Sequence, residues 1–265
     1  MIRLAANLSM LFTEHDFLER FAAAADAGFS GVEYLFPYAY SPDTLRSALE
    51  ASGLQQVLFN LPPGDWEAGE RGVASLPGRE AEFRDSVTEA LRYAVALDCP
   101  RVHAMAGLIP EGADESTRQA HHATYVANLR FAAREAAKLG REVLIEPINT
   151  RDMPRYFLSH QDQAMAVLQE VGEPNLRLQF DLYHCQIMEG DLVRHLECQF
   201  EHIGHIQIAG VPERHEPDVG EVHYPAVFER LKELGYVDWV GCEYRPAGNT
   251  RAGLAWGRPF GLRPE

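Results

Sequence analysis

The chain has 265 residues, 46% of them hydrophobic, and its 39 acidic and 24 basic side chains give a formal charge of −15. This composition supports a large buried core and excludes a disordered chain. The negative field repels nucleic acid and anionic membranes, so we expect neither as a partner. A small anionic substrate is not excluded, because a nearby arginine or metal ion outweighs the overall charge at short range.

The cysteines and the N-terminal sequence indicate the cellular compartment. The 4 cysteines are dispersed and form no C-x-x-C pair, so neither a zinc knuckle nor a disulfide framework is indicated. The first residues lack the charged-then-apolar pattern of a signal peptide. No apolar run approaches the roughly 20 residues that span a bilayer. The sequence therefore predicts a protein of the reducing cytoplasm.

Short apolar segments alternate with longer helical patterns along the chain. The predicted strands cover residues 3–9, 31–35, 54–60, 101–105, 143–146, 176–181, 203–207 and 238–243. The predicted helices cover residues 14–27, 42–52, 78–97, 115–139, 161–171, 191–201 and 224–234. Such alternation is typical of a parallel sheet built from βα units. Eight units predict an α/β fold, a single (β/α)8 TIM barrel over residues 1–265 with a short C-terminal tail.

A long connection at about residues 61–76 interrupts the regular alternation after the third strand. It is rich in proline and glycine, and it carries Trp66 and Arg71. Long loops on a rigid scaffold are often functional. We therefore predict a lid, in which Trp66 walls the pocket and Arg71 holds an anionic group of the substrate. The alternatives are ordinary packing for Trp66 and a solvated surface position for Arg71.

Polar side chains end the last four predicted strands. These residues are Glu146, Asp181, Gln207 and Glu243. Chemistry in such barrels is carried at the C-terminal ends of the strands, so four oxygen-bearing ends predict a common site. Three carboxylates and a neutral oxygen suit Mg²⁺ or Mn²⁺ better than zinc. For any single residue the alternative is a helix cap or a structural ion pair.

Three further side chains are candidate substrate-binding residues. His184 follows Asp181 by three positions in the sequence, where an imidazole could hydrogen-bond to a hydroxyl or move its proton. Arg214, in the loop after the seventh strand, offers a bidentate guanidinium for a carboxylate. His103, at the end of the fourth strand, could line the pocket. Structural packing or surface exposure is the alternative for each.

Several segments together resemble the hydroxypyruvate isomerase family, within the xylose-isomerase-like barrels. The resemblance covers nearly the whole chain, and the most specific part is Gly64-Asp65-Trp66 in the long loop. The segments that carry it are residues 6–12, 62–72, 144–149, 181–186 and 241–244. Residues 103–107 and 208–218 resemble most closely the subgroup of 2-oxo-tetronate isomerases.

The resemblance implies an aldose-ketose isomerisation of a short, anionic 2-keto-hydroxy acid. It implies that Glu146 and Glu243 form the acid-base pair, and that the metal positions correspond to the four strand-end residues. Two positions depart from the family pattern. Gln207 stands where the wider superfamily usually has histidine, and Arg155 stands where related sequences have glycine.

Other functions remain open at this point. The first alternative is a ketose 3-epimerase-like enzyme, which would need a pocket for a longer, neutral sugar. An abasic-DNA endonuclease on the same scaffold is disfavoured by the negative charge. The second alternative is a barrel that binds a sugar acid without turning it over. A homo-oligomer is compatible with the sequence and is not determined by it.

Overall fold

Eight parallel strands close into a barrel in the computed structural model of the protein, which describes residues 2–264. The strands are β1 (Arg3–Asn7), β2 (Gly31–Tyr34), β3 (Gln55–Asn60), β4 (Arg101–His103), β5 (Glu142–Ile145), β6 (Leu176–Asp181), β7 (Ile203–Ile208) and β8 (Trp239–Cys242). Each strand pairs with the next one in the chain, and β8 returns to pair with β1. The predicted TIM barrel is confirmed.

Helices follow the strands around the outside of the barrel. They are α1 (Glu19–Asp26), α2 (Pro42–Ser52), α3 (Glu80–Ala96), α4 (Glu115–Ala137), α5 (Gln161–Val171), α6 (Leu182–Met188), α7 (Leu192–Gln199) and α8 (Tyr224–Glu233). Short 3-10 helices cover Phe200–His202 and Ala252–Phe260. Among residues 2–264, none of the helices combines the length and apolarity needed to cross a membrane.

Local capping explains why some helix boundaries were predictable. Helix α2 has the predicted bounds because Ser41 accepts a hydrogen bond from the backbone N–H of Thr44, and Pro42 occupies the first turn. At its C-terminus Gly53 takes a left-handed conformation with φ +65°, which glycine adopts without a Cβ penalty.

The start of one helix was predicted wrongly, and one helix was missed. Helix α1 begins at Glu19 rather than at residue 14, because residues 8–18 form turns over the barrel mouth instead. Helix α6 was not predicted at all. It begins directly after β6, where the carboxylate of Asp181 accepts a hydrogen bond from the Tyr183 backbone N–H at 2.8 Å. A seven-residue segment without a clear apolar period gives no sequence signal.

The lower half of the barrel interior is mostly apolar, with one buried charge. A small cluster of Ala5, Val57, Leu58, Leu144 and Trp239 fills it. The side chain of Arg101 lies near the N-terminal ends of the strands and is only 7% exposed. Its guanidinium donates to the backbone carbonyl of Gly204 and to the Asp238 carboxylate, each at 2.6 Å. These contacts compensate the buried charge.

The segment of residues 61–76 is anchored to the end of β4. Leu61 donates its backbone N–H to the His103 carbonyl at 2.9 Å, and Ser75 donates to Ala106 at 2.8 Å. The Glu70 carboxylate accepts hydrogen bonds from Arg79 on the far side of the segment. These bonds hold the segment in one position beside the barrel mouth.

The C-terminal residues pack back onto the barrel. Arg263 donates its backbone N–H to the Ala27 carbonyl at 2.8 Å, and Leu262 is buried. Because Ala27 and Gly28 follow α1, the tail covers the start of the β2 unit. The short predicted tail is therefore a packed part of the fold.

Candidate active site

Four titratable side chains meet at the C-terminal mouth of the barrel. Glu146 follows β5, Asp181 ends β6, His184 lies in α6, and Glu243 follows β8. Each is at least 95% buried, and one donor atom from each lies within 4.8 Å of the others. Glu146, Asp181 and Glu243 are three of the four strand-end residues that the sequence predicts to converge, and the barrel brings their side chains together.

The carboxylates of this group lack partners for two of their oxygens. Glu146 Oε1 and Asp181 Oδ2 are buried and accept no hydrogen bond from the part of the chain described. Burial raises the pKa of Glu146 well above its usual range, and the nearby Glu243 and Asp181 raise it further. Burial also raises the pKa of Asp181 to about 6 and that of Glu243 to about 8. Ionising all three carboxyl groups in this buried position is therefore costly, and a bound cation would reduce that cost.

Arg214 supplies one positive charge to this mouth. Its Nη2 lies 2.6 Å from Glu243 Oε2 and 3.6 Å from Asp181 Oδ2. Its guanidinium also lies over the ring of Tyr183, 4.8 Å from the centroid. Burial alone would lower the pKa of Arg214, but the surrounding carboxylates raise it. One arginine faces three carboxyl groups, so it can balance only one negative charge when all three are ionised.

The hydrogen bonds of His184 determine which ring nitrogen carries its proton. Asn149 donates its amide to Asp152 Oδ2 at 3.2 Å and accepts from the Asp152 backbone N–H at 2.8 Å. The amide nitrogen of Asn149 therefore also faces His184 Nδ1, at 2.6 Å. Burial holds the pKa of His184 well below its usual range, so the ring is neutral. The proton is then on Nε2, which lies 3.5 Å from Asp181 Oδ2.

His103 has the opposite arrangement. Its Nδ1 lies 3.3 Å from the Asn60 side-chain oxygen, which can only accept. Burial lowers the pKa of His103 to about 3, so this ring is also neutral. Its Nε2 is then an acceptor, and within residues 2–264 it has no hydrogen-bond partner. The mouth thus presents one imidazole acceptor and one imidazole donor.

Trp66 and Arg71 both face the same cavity. The guanidinium of Arg71 donates to the carbonyls of Trp66 and Glu70, at 3.1 and 2.7 Å. It stacks on the Trp66 indole at 4.0 Å from the ring, and the indole packs against Phe36. Among the ion pairs of the described chain, Arg71 takes part in none. Its charge is therefore positioned and uncompensated.

A cavity of about 500 Å³ is lined by most of these groups, although Asp181 is not among its lining residues. All five predicted substrate-binding residues line it, together with both glutamates of the predicted acid-base pair. The complete lining is Met10, Leu35, Asn60, Trp66, Arg71, His103, Met105, Glu146, Ile148, Arg151, Asp152, Met153, Gln179, Tyr183, His184, Pro212, Glu213, Arg214, Glu243 and Arg245. Among the polar lining residues that no recognisable sequence motif indicated are Asn60, Gln179, Arg151 and Arg245.

Gln207 lies beside this group and is bonded to other buried polar residues. Its backbone pairs with Asp181 across β6 and β7. Its amide nitrogen donates to Glu33 Oε1 at 2.7 Å, and its amide oxygen accepts from Gln179 Nε2 at 2.6 Å. Glu33 was not predicted as a site residue. The available signal was an acidic residue inside an otherwise apolar strand.

The donor set fits a hard divalent cation. Three buried carboxylates with two unpartnered oxygens offer the ligands that Mg²⁺ and Mn²⁺ prefer. The carbonyl oxygen of Gln207 has a second lone pair free after its bond to Gln179. His184, by contrast, presents a protonated nitrogen to the group in this hydrogen-bond arrangement.

Arg155 lies away from this centre. Its side chain is exposed, with Nη1 at 3.4 Å from the Ile109 carbonyl, and Arg155 is not among the residues that line the cavity in the described chain. Its backbone φ is +68°, a conformation that glycine adopts readily and other residues adopt at a cost. This conformation gives a physical reason why glycine suits the position.

Known proteins resemble this chain over nearly its whole length. A family model described as the xylose isomerase-like TIM barrel matches residues 21–260. A protein of Cupriavidus necator named 2-oxo-tetronate isomerase is 59% identical over 98% of this chain and 99% of its own length. A protein of Escherichia coli named hydroxypyruvate isomerase is 48% identical over 98% of this chain and 100% of its own.

A solved structure is also very similar. The crystal structure titled AP endonuclease, family 2, from Brucella melitensis superimposes with a TM-score of 0.95 and 54% identity, covering 98% of this chain and 99% of that one. The high identity to named isomerases over full length indicates an isomerase. On this evidence the chain belongs to the xylose isomerase-like TIM barrel family.

Proposed function

We propose that the protein interconverts a short 2-keto-hydroxy acid and its 3-keto or aldehyde isomer. The substrates that fit best are 2-oxo-tetronate, giving 3-oxo-tetronate, and hydroxypyruvate, giving tartronate semialdehyde. In both reactions a proton moves from C3 to C2 through an enediol. The observation that carries the proposal is the approach of Glu146 and Glu243 to within 4.8 Å in one buried cavity. Relatives with these names are 59% and 48% identical to this chain over 98% of its length, which supports the substrate class.

The two glutamates would move the carbon-bound proton. One removes it from C3, and the same or the opposite carboxylate delivers it to C2. The pKa of Glu243, which burial raises to about 8, favours proton exchange near neutral pH. A positioned acid-base group of this kind contributes about 10²–10⁴-fold in rate. Arg214 holds Glu243 in place through the 2.6 Å contact.

The two neutral imidazoles would hydrogen-bond to the two reacting oxygens of the substrate, at C2 and C3. His103 Nε2 is an unpartnered acceptor for the hydroxyl proton at C3. His184 Nε2–H can donate a hydrogen bond to the oxygen at C2, and the proton that this oxygen gains is the one that the C3 hydroxyl releases, so neither ring is left charged. The pair therefore matches the change from hydroxyl to carbonyl at one carbon and the reverse change at the next.

Arg71 would bind the substrate carboxylate. Its guanidinium is held by two backbone carbonyls and by the Trp66 indole, so little side-chain freedom remains to be lost on binding. A carboxylate on the remaining donors would place the C2 and C3 atoms deeper in the cavity, toward the glutamates. The Trp66 indole, which packs against Phe36, forms an apolar wall on that side of the cavity.

Glu146, Asp181, Gln207 and Glu243 would hold Mg²⁺ or Mn²⁺. When bound, such an ion stabilises negative charge that develops on neighbouring oxygens of the substrate. We expect chelation to lower the activity and added Mn²⁺ or Mg²⁺ to restore it. Full activity of thoroughly metal-stripped protein would leave the carboxylates acting alone.

Proton NMR in D₂O tests the proposal directly. Hydroxypyruvate and 2-oxo-tetronate are offered separately, with and without Mn²⁺, and we expect deuterium at C2 of one isomerised product. The matched control is the Glu243→Gln variant, which should give no exchange. A neutral ketose and abasic DNA are offered in parallel. Exchange only in the ketose would indicate an epimerase instead, and cleavage of the DNA would indicate a nuclease. Binding of both acids without exchange would indicate a non-catalytic binding protein.

A further inference from the structure

Glu33 is a buried carboxylate beneath the cavity that the proposed chemistry does not use. It lies on β2 and is 1% exposed. Its Oε2 lies 2.7 Å from His205 Nε2, and its Oε1 accepts from Gln207 Nε2 at 2.7 Å and from Asn7 Nδ2 at 3.1 Å. A buried acid with three polar contacts from two other strands is a structured feature rather than an incidental one.

The contact with Glu33 decides how the Gln207 amide is oriented. A carboxylate only accepts hydrogen bonds, so Gln207 must direct its nitrogen toward Glu33. The amide oxygen then points the other way, toward Gln179. A glutamine amide without this constraint could present either atom. Glu33 therefore makes the oxygen of the Gln207 amide, and not its nitrogen, the atom that could serve as a metal ligand.

Glu33 is also connected to Glu243 through Asn7. The Asn7 amide nitrogen donates to Glu33 Oε1 at 3.1 Å and to Glu243 Oε1 at 3.2 Å. The amide oxygen of Asn7 accepts from the Ser9 backbone N–H, which fixes the amide orientation. One side chain at the end of β1 thus ties the buried acid to a carboxylate at the mouth.

A glycine on β8 makes room for this arrangement. A Cβ atom placed on Gly241 would lie 2.4 Å from Glu33 Oε2. Any larger residue at position 241 would displace the carboxylate from His205 and Gln207. The space for Glu33 is therefore provided by the adjacent strand.

We propose that Glu33 is a positioning residue that orients Gln207 and, through Asn7, Glu243 for binding of a divalent cation. The inference rests on the metal site included in the proposed function. It assigns no contact between Glu33 and the ion or the substrate. Outer groups that orient metal ligands typically change metal affinity by about 10–100-fold when they are replaced.

The test is the affinity of the purified protein for Mn²⁺, measured by titration and electron paramagnetic resonance without any turnover. We expect Glu33→Gln to weaken Mn²⁺ binding by about 10–100-fold while circular dichroism stays native. The matched control is Gln56→Met, which removes a buried amide that bonds only to the Leu58 carbonyl in the described chain. This control should leave the Mn²⁺ affinity unchanged.

A double variant covers the case in which Glu33→Gln does not fold. Combining it with Gln207→Glu exchanges acid and amide across the same 2.7 Å contact and keeps one donor and one acceptor there. Recovered folding with Mn²⁺ binding supports the proposal. Wild-type Mn²⁺ affinity in Glu33→Gln, a folded double variant without Mn²⁺ binding, or a wild-type protein that binds no Mn²⁺ would each overturn it.

The same titration separates this inference from the proposed function. If the wild-type protein isomerises neither acid but Glu33→Gln still loses Mn²⁺ affinity, the substrate assignment fails and the positioning role stands. If the protein isomerises one of the acids and Glu33→Gln alters neither Mn²⁺ affinity nor kcat/KM, the proposed function stands and the positioning role of Glu33 fails.

Discussion

The two ends of the barrel treat buried charge in opposite ways. At the lower end, Arg101 is compensated by Asp238 and by a backbone carbonyl. At the mouth, Glu146, Asp181 and Glu243 have one close cation, Arg214, and two of their buried oxygens have no partner in the described residues. A buried charge that has partners is tolerated in the folded state, whereas a buried charge without partners lowers the stability of the fold unless a bound ligand supplies the missing interactions. The difference indicates that the mouth is built for binding and the lower end for folding.

The largest expected effect comes from removing one carboxylate at the mouth. Glu243→Gln should lower kcat by about 10²–10⁴-fold, because a proton-transfer group and a candidate cation ligand are lost together. The protein should remain folded, since a buried carboxylate with a raised pKa is replaced by a neutral side chain of similar shape. Steady-state kinetics and thermal unfolding check both points. Turnover at the wild-type rate would remove Glu243 from the mechanism.

Replacing the positioned arginine should affect substrate binding rather than chemistry. Arg71→Met loses a charged hydrogen bond worth about 1.5–3 kcal/mol, so KM should rise about 10–100-fold with little change in kcat. Steady-state kinetics with the preferred acid measure this split. A fall in kcat with KM unchanged would contradict the assignment of Arg71 to the substrate carboxylate.

Replacing Arg101 at the lower end of the barrel should lower the stability of the protein and leave its activity unchanged. Arg101→Met leaves Asp238 without its partner. Because the Asp238 side chain is 38% exposed, water can solvate its carboxylate and replace part of the lost interaction. We expect the free energy of unfolding to fall by about 2–3 kcal/mol, with kcat/KM per folded molecule unchanged. Urea unfolding and kinetics on the same sample test this. A large loss of kcat in folded protein would mean that the two ends are coupled.

The stability of chelator-treated protein should depend on pH through the mouth. Burial raises the pKa of Asp181 to about 6 and that of Glu243 to about 8. The folded state then binds more protons than the unfolded state between about pH 4.5 and 8, so stability should fall as the pH rises through this range. Urea unfolding measures the slope, which should be smaller in Glu243→Gln. Added Mn²⁺ should raise the stability at pH 8, and an equal slope in both proteins would contradict the prediction.

The smallest expected effect lies outside both ends. Arg155→Gly removes a non-glycine residue from a left-handed conformation with φ +68°, which costs about 1–2 kcal/mol. Because glycine also increases the entropy of the unfolded chain, the net gain should be below about 1 kcal/mol. Thermal unfolding should show a slightly higher Tm with unchanged KM. A raised KM would instead support a role for Arg155 in substrate binding.

The sequence predicted the barrel and most of the mouth for identifiable reasons. Alternating apolar strands and amphipathic helices are local patterns, and the barrel follows from their number. The residues that end strands could be found because parallel strands bring their C-terminal ends together. The same rule drew attention to His184, which lies three residues after the end of β6.

Other features depended on packing between distant segments. Glu33 reaches His205 and Gln207 from the far side of β1 and β8, and it can do so because Gly241 leaves room. The opposite tautomers of His103 and His184 depend on partners at Asn60 and Asn149. No local pattern in the sequence encodes contacts of this kind.

Strand periodicity, repeat number and strand-end chemistry are local properties, and from them the sequence alone determined the barrel and the group of acids at its mouth. Only the tertiary structure decided which charges are compensated, which imidazole accepts and which donates, and how Glu33 is connected to Gln207 and Glu243. The physical reason is that burial and hydrogen-bond pairing depend on which residues meet across the barrel, and these are set by the closed sheet as a whole.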